Sequence, residues 1–296
     1  VLSIAENYRR DPMNRLAKAL IDTGVIGNPN FMLKTGVAGG SLLAHNTAWR
    51  AMKLRAGGPI LDQGVHEADL MMYFMGDVRS VYAETAIFTP LRKRADAGEN
   101  LSQFYSHRIE GDLIGEEKVE IDQEDSAFAV LRFTSGAVGH YAISNASHGH
   151  SVYMSSVHGS LGTITLPQTR TGRGPEVRLE AGDEHITGDD LLDLVPDWKL
   201  DRDTATLWDN RCRISSYDNE FPEIDRKIIA IEYQDLAQAI KTGNPPEVDP
   251  NTAMKTMAVQ YGVLESGLIG RPVQISEMLE GTVDQYQREL NIAVGL

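Results

Sequence analysis

The 296 residues carry 42% hydrophobic and 24% charged side chains, enough apolar content for a substantial core, and no apolar run reaches the roughly 18 residues a membrane span needs. A formal net charge of -14 opposes binding to a polyanion, because clustered Lys and Arg supply most nucleic-acid affinity, so nucleic acid is not an expected partner. The lone Cys212 can form neither an intrachain disulfide nor a thiolate cluster for zinc, which makes a reducing, cytoplasmic setting the expected one.

The chain opens on Val1-Leu2-Ser3-Ile4, with neither an initiator Met nor the basic and apolar regions of a signal peptide. Val1 to Ala5 reads as the end of a strand. Asp11-Pro12 then predicts a helix start, an N-cap followed by the residue best tolerated at the first helical position. Leu16, Leu20 and Ile21 make its apolar stripe and Gly24 its stop. Phe31 to Val37 alternates as a strand, a loop follows from Ala38 to Pro59, and a second helix is expected from Leu61 to Met75, closed by Gly76-Asp77.

From Val78 the period changes to two. Ala127 to Thr134 and Ala137 to Ser144 flank a Ser135-Gly136 turn, and Val152 to Val157 and Thr163 to Leu166 form a second pair around Gly159 to Gly162. Val177 to Glu180 adds a further strand. The pattern predicts a mostly antiparallel sheet. Pro90 to Asp125 and Gln168 to Pro222 lack periodicity and read as long surface excursions. Two helices close the chain. One is Ile224 to Lys241 with Ile229, Tyr233, Leu236 and Ile240 on a stripe, the other Pro250 to Leu268 with Met254, Ala258 and Tyr261.

The most informative stretch is Gly57-Gly58-Pro59-Ile60-Leu61-Asp62-Gln63-Gly64-Val65-His66-Glu67-Ala68-Asp69. In one helix, Asp62 and His66 lie a turn apart on one face, with Asp69 and Tyr73 continuing the row. A carboxylate beside an imidazole favours the imidazolium and orients the ring, as a general base acting on an alcohol requires. Such pairs are also common structural features, and spacing alone leaves both readings open.

The string GGPILDQGVHEADLMMYFMGDV resembles the helix signature of the glucose-fructose oxidoreductase, inositol dehydrogenase and MocA (Gfo/Idh/MocA) family. ENYRRDP, VHGSLGTITLP and the stretch from Glu232 to Ile275 agree with it in order and spacing, so the resemblance covers nearly the whole chain. It implies an α+β fold: an open, predominantly antiparallel sheet with helices packed on one face, forming one substrate-binding and oligomerisation domain over residues 1–296. The family's preceding Rossmann domain, about 100 to 150 residues, has no counterpart here. No G-x-G-x-x-G turn is present, since GVAGGS and GSLGT lack the spacing, and the family's Glu-Lys-Pro motif is missing too.

By position, the resemblance implies His66 as the acid/base residue and Asp62 as its partner one turn earlier. It implies NAD or NADP as cofactor, held mainly by the absent domain, and a sugar, glycoside or cyclitol as substrate. Tyr8 and Arg9 match positions beside the substrate in some members. His148 and His150 fall where relatives present a polar side chain to the sugar, with metal binding a weaker alternative; no metal is expected. Trp49, with Arg50, is a candidate stacking platform for the substrate. His45, His107, His140, His158 and His185 carry no expected role. The open sheet face is expected to join copies into a homo-oligomer. A non-catalytic sugar-binding or assembly subunit is the competing reading, followed by a related chemistry such as hydrolysis or epimerisation.

Overall fold

The computed structural model describes residues 1–44, 47–94, 118–181 and 184–296. His45 and His107, and most of the loop around the latter, lie outside the described residues. Val1 to Ala5 is not a strand. Ile4 donates to the carbonyl of Val248 at 3.0 Å, and one such bond ties the segment down without making a ladder. Tyr8–Arg10 form a single 3-10 turn before helix α1 (Pro12–Asp22). The Asp11 carboxylate caps α1 by accepting from Met13 N at 2.9 Å, and Pro12 sits where an N–H would have no partner.

Strand β1 (Pro29–Val37) follows, then α2 (Gly58–Asp62), α3 (Gly64–Met75) and β2 (Val78–Ala86). The short strands β3 (Leu91–Lys93) and β4 (Lys118–Glu120) pair only with each other. The remaining strands are β5 (Ser126–Phe133), β6 (Val138–Ser144), β7 (Val152–Gly159), β8 (Gly162–Thr165), β9 (Glu176–Leu179), β10 (Glu184–Ile186) and β11 (Val273–Gln274). Among the described residues, nine strands form one sheet in the order β10-β9-β8-β7-β1-β6-β5-β2-β11. Only β1 and β6 run parallel, with Phe31 opposite Val138 and Val37 opposite Ser144. The expected fold class therefore holds.

Period-two alternation sorts the two faces. Ala127, Ala129, Leu131 and Phe133 of β5 are buried with Val81 and Ala83 of β2 beneath α3 and the helix Pro250–Ile269. Phe128 and Val130, pointing the other way, are 45% and 46% exposed, and Tyr82, Phe31, Val152 and Met154 extend the same uncovered face. Helices thus cover one side only.

Two expectations about packing need correction. The stretch from Gln168 to Pro222 is not merely a surface excursion, because Leu200, Ala205, Trp208, Ile214 and Tyr217 bury themselves with Met13, Ile224, Ile228 and Ile231 in a second core. These residues occur at irregular spacing, so no periodicity announces them. In the helix Phe221–Thr242, the stripe through Tyr233 and Ile240 faces outward, at 71% and 64% exposed, while Ile224, Ile228, Ile231 and Ala239 face in. Both stripes repeat at the helical period, and the second core selects between them.

Candidate active site

The Gly57–Asp69 stretch does not form one helix. α2 ends at Asp62, Gln63 is a turn residue, and α3 begins at Gly64. The break coincides with a close approach. Gln260 Nε2 donates to Gly64 O at 2.6 Å, and a Cβ at Gly64 would sit 2.6 Å from the Tyr141 hydroxyl. His66 N bonds Gln63 O, a tightened turn.

Asp62 and His66 consequently take different partners. Arg50 Nη1 donates to both oxygens of Asp62. His66 Nδ1 lies 2.7 Å and 3.0 Å from the two carboxylate oxygens of Glu6. The expected pairing of Asp62 with His66 is therefore replaced: the helix break removes the stacking on which it relied. Burial disfavours the imidazolium, but the hydrogen bond and charge of Glu6 outweigh it, and the His66 pKa is raised. The ring of Tyr8 stacks on that of His66 with centroids 4.3 Å apart, and burial pushes the Tyr8 phenol up to about 12.

His66 lies in the wall of a cleft of about 640 Å³, bounded also by Lys34 of β1, Glu67 of α3, Tyr153 of β7, Asp62 and Arg170. Lys34 Nζ is 2.6 Å from Glu67 Oε2 and donates to the Tyr153 hydroxyl at 2.8 Å. Burial opposes the Lys34 charge, yet Glu67 and Tyr153 together raise its pKa, so it remains an ammonium. Arg170 arrives by a pinned loop. Its N–H and the Tyr217 hydroxyl donate to Asp11 at 2.7 Å and 3.1 Å, and its guanidinium reaches Asp225 at 2.8 Å and the Tyr8 hydroxyl at 3.1 Å. The same Asp11 that starts α1 thus fixes one wall of the cleft.

Of the residues singled out by sequence, His66, Asp62 and Tyr8 line this cleft, and four others do not. Arg9 is buried, with Nε on Asp69 at 2.8 Å and the guanidinium 5.1 Å from the Tyr73 ring centroid, tying the 3-10 turn to α3. Trp49 stays exposed with the Arg50 guanidinium over its ring; Arg50, not Trp49, reaches the cleft. His148 and His150 lie in the connection after β6, not on a strand, so the i, i+2 alternation does not apply to them. His148 Nε2 meets Thr89 Oγ1 at 2.9 Å, and His150 is exposed. Tyr153, three residues further on, is the polar side chain this segment brings to the cleft. Sequence reasoning missed Glu6, Lys34, Glu67, Tyr153 and Arg170. A lysine inside the alternating strand Phe31 to Val37 was the one local signal available.

No part of the described fold seats a dinucleotide. Gly36 to Ser41 leaves β1 for a loop, and Gly159 to Gly162 turns the β7–β8 hairpin, so neither opens a helix whose N-terminus could take a pyrophosphate. No three His, Cys, Asp or Glu side chains are grouped for a metal among the described residues, and no helix there is long and apolar enough to cross a membrane.

Residues 18–275 match the family model described as "Oxidoreductase family, C-terminal alpha/beta domain". A levoglucosan dehydrogenase from Pseudarthrobacter phenanthrenivorans is 30% identical over 172 residues, covering 56% of this chain and 42% of that protein. A D-apiose dehydrogenase from Rhizobium rhizogenes is 22% identical over 285 residues, 94% of this chain and 65% of that protein. Among solved structures, levoglucosan dehydrogenase in complex with NADH and levoglucosan superposes with a TM-score of 0.66 at 22% identity, covering 93% of this chain and 66% of that one. An oxidoreductase from Agrobacterium radiobacter in complex with NAD+, L-tartaric acid and magnesium gives 0.62 at 22% identity, with 94% and 66% covered. The chain thus spans less than two thirds of the length of each of these relatives.

Proposed function

The chain belongs to the Gfo/Idh/MocA oxidoreductase family, matching its C-terminal alpha/beta domain, and from that premise we propose that it forms the substrate side of an NAD-dependent dehydrogenase acting on a sugar, glycoside or cyclitol. A dinucleotide-binding domain beyond these residues would hold the cofactor, whose nicotinamide supplies the hydride acceptor. The chain's own share is the proton and the placing of the substrate.

One arrangement carries the reading: a histidine with an unbonded nitrogen faces a polar cleft whose cations are already neutralised. His66 Nε2 forms no hydrogen bond among the described residues, and the ring keeps 26% of its side chain exposed. There it can take the proton of a secondary hydroxyl as the carbonyl forms, and return it in the reverse direction. Lys34 is paired with Glu67, Arg50 with Asp62 and Arg170 with Asp225. A cleft with matched charges and many donors and acceptors suits an uncharged polyol better than a sugar acid or phosphate. NAD, rather than NADP, is favoured by the NADH and NAD+ complexes of the structural neighbours. The uncovered sheet face is proposed as the contact between copies of the chain.

The test restores the upstream sequence and follows the absorbance of reduced nicotinamide with neutral sugars, glycosides and inositols beside matching uronates and 6-phosphates. Turnover of a neutral polyol with NAD is expected. Turnover confined to the charged compounds, or absent across the whole panel, would overturn the assignment.

A further inference from the structure

We infer that Glu6 is the positioning residue for His66: it holds the proton on Nδ1 and so keeps Nε2 as the basic nitrogen facing the cleft. This rests on the reading of His66 as the base, but its geometry stands apart from any substrate. Glu6 is almost fully buried, and its carboxylate has two commitments. Oε1 accepts from Tyr8 N at 3.1 Å, and both oxygens lie within 3.0 Å of Nδ1. An ionised carboxylate only accepts, so the hydrogen between them belongs to Nδ1, and the neutral ring carries its lone pair on Nε2.

Ring rotation is blocked as well. Tyr8 lies across one face with its plane 16° from parallel, and the Tyr8 N–H bond to Glu6 makes turn, carboxylate and stacked ring one unit. Asp62 cannot share the task, because Arg50 Nη1 engages both of its oxygens. The residue that orients the imidazole therefore comes from sixty positions upstream, on a different element.

Several other charges act on His66. Arg170 opposes its protonation, whereas Glu67 on α3 favours it. Asp69 on α3 and Glu232 on the helix Phe221–Thr242 also interact electrostatically with the ring. None of these is within hydrogen-bonding distance of Nδ1 among the described residues, so only Glu6 can select the tautomer.

The experiment labels the histidine rings with nitrogen-15 in the chain of residues 1–296 and compares wild type, Glu6→Gln, Glu6→Ala and Asp62→Asn through a pH titration. Wild type at high pH should show the Nδ1–H form. Glu6→Gln, nearly isosteric and still an acceptor, should keep that form but titrate at lower pH, having lost the charge. Glu6→Ala should lose the tautomer preference, and Asp62→Asn should leave both readouts in place. An Nε2–H wild type, or an Asp62→Asn titration that moves further than that of Glu6→Gln, would overturn the proposal. In the enzyme with its upstream sequence, Glu6→Gln should lower kcat about 10- to 100-fold with little change in KM. Inactive His66→Ala beside fully active Glu6→Gln would sink the role of Glu6 and leave the assignment of the base intact.

Discussion

The Tyr8 ring lies flat on the His66 ring, 4.3 Å between centroids, while its hydroxyl accepts from Arg170 at 3.1 Å. Stack and hydroxyl have separable effects. Tyr8→Phe keeps the aromatic lid and loses one hydrogen bond, about 1 kcal/mol or less than tenfold in kcat/KM. Tyr8→Ala frees the imidazole and should cost distinctly more. Because burial pushes the phenol up to about 12, neither variant should alter the pH profile near neutrality. Equal losses in the two variants would show that the stack does nothing.

His66→Ala removes the proposed base. Steady-state kinetics should show kcat reduced about 100- to 10,000-fold, with substrate binding changed much less. Comparable turnover in the variant would remove His66 from the chemistry.

Arg9 and Asp69 form a buried pair across sixty residues, Nε to Oδ2 at 2.8 Å. Arg9→Ala leaves Asp69 without its partner and should destabilise the fold by about 3–5 kcal/mol in urea unfolding. Arg9→Met combined with Asp69→Leu should recover much of the loss. A near-neutral Arg9→Ala would mean the pair is not structural.

Glu232 is buried with Oε1 lacking a hydrogen bond, and burial is the main cause of its pKa rising to about 7, ahead of a lowering by Arg10. The native state therefore holds this proton more tightly than the unfolded chain. The associated stability is present below the ordinary Glu range near 4.5, is lost as pH rises, and is gone above about 7. Calorimetry should find Glu232→Gln gaining in Tm over wild type at pH 8 compared with pH 5. A difference independent of pH would contradict this linkage.

Val130 sits at the middle of the uncovered sheet face, opposite Tyr82 on one neighbouring strand and His140 on the other. Light scattering should report wild type as a dimer or larger, and Val130→Glu should shift it toward monomer. A monomeric wild type would refute self-association through this face.

Much of the architecture was legible because it depends on local periodicity. Alternation in Ala127 to Ser144, the Asp11-Pro12 start of α1 and the glycine stops at Gly243 and Gly270 each act within a few residues, and each appears where expected. His66 was legible through the motif around it. Its partner was not, since spacing can propose only neighbours on the same helix, and a carboxylate sixty residues away in an irregular segment leaves no periodic trace.

Sequence by itself determined the strands, the main helices, the absence of a dinucleotide fingerprint and the candidacy of His66, because these reside in short windows of residue type and order. Tertiary structure alone decided that Glu6 rather than Asp62 meets the imidazole, that Arg9 is structural, that Lys34 and Tyr153 reach the cleft, and which stripe of Phe221–Thr242 is buried. The physical reason is range: hydrogen bonds and ion pairs act over about 3 Å in space and are indifferent to separation along the chain.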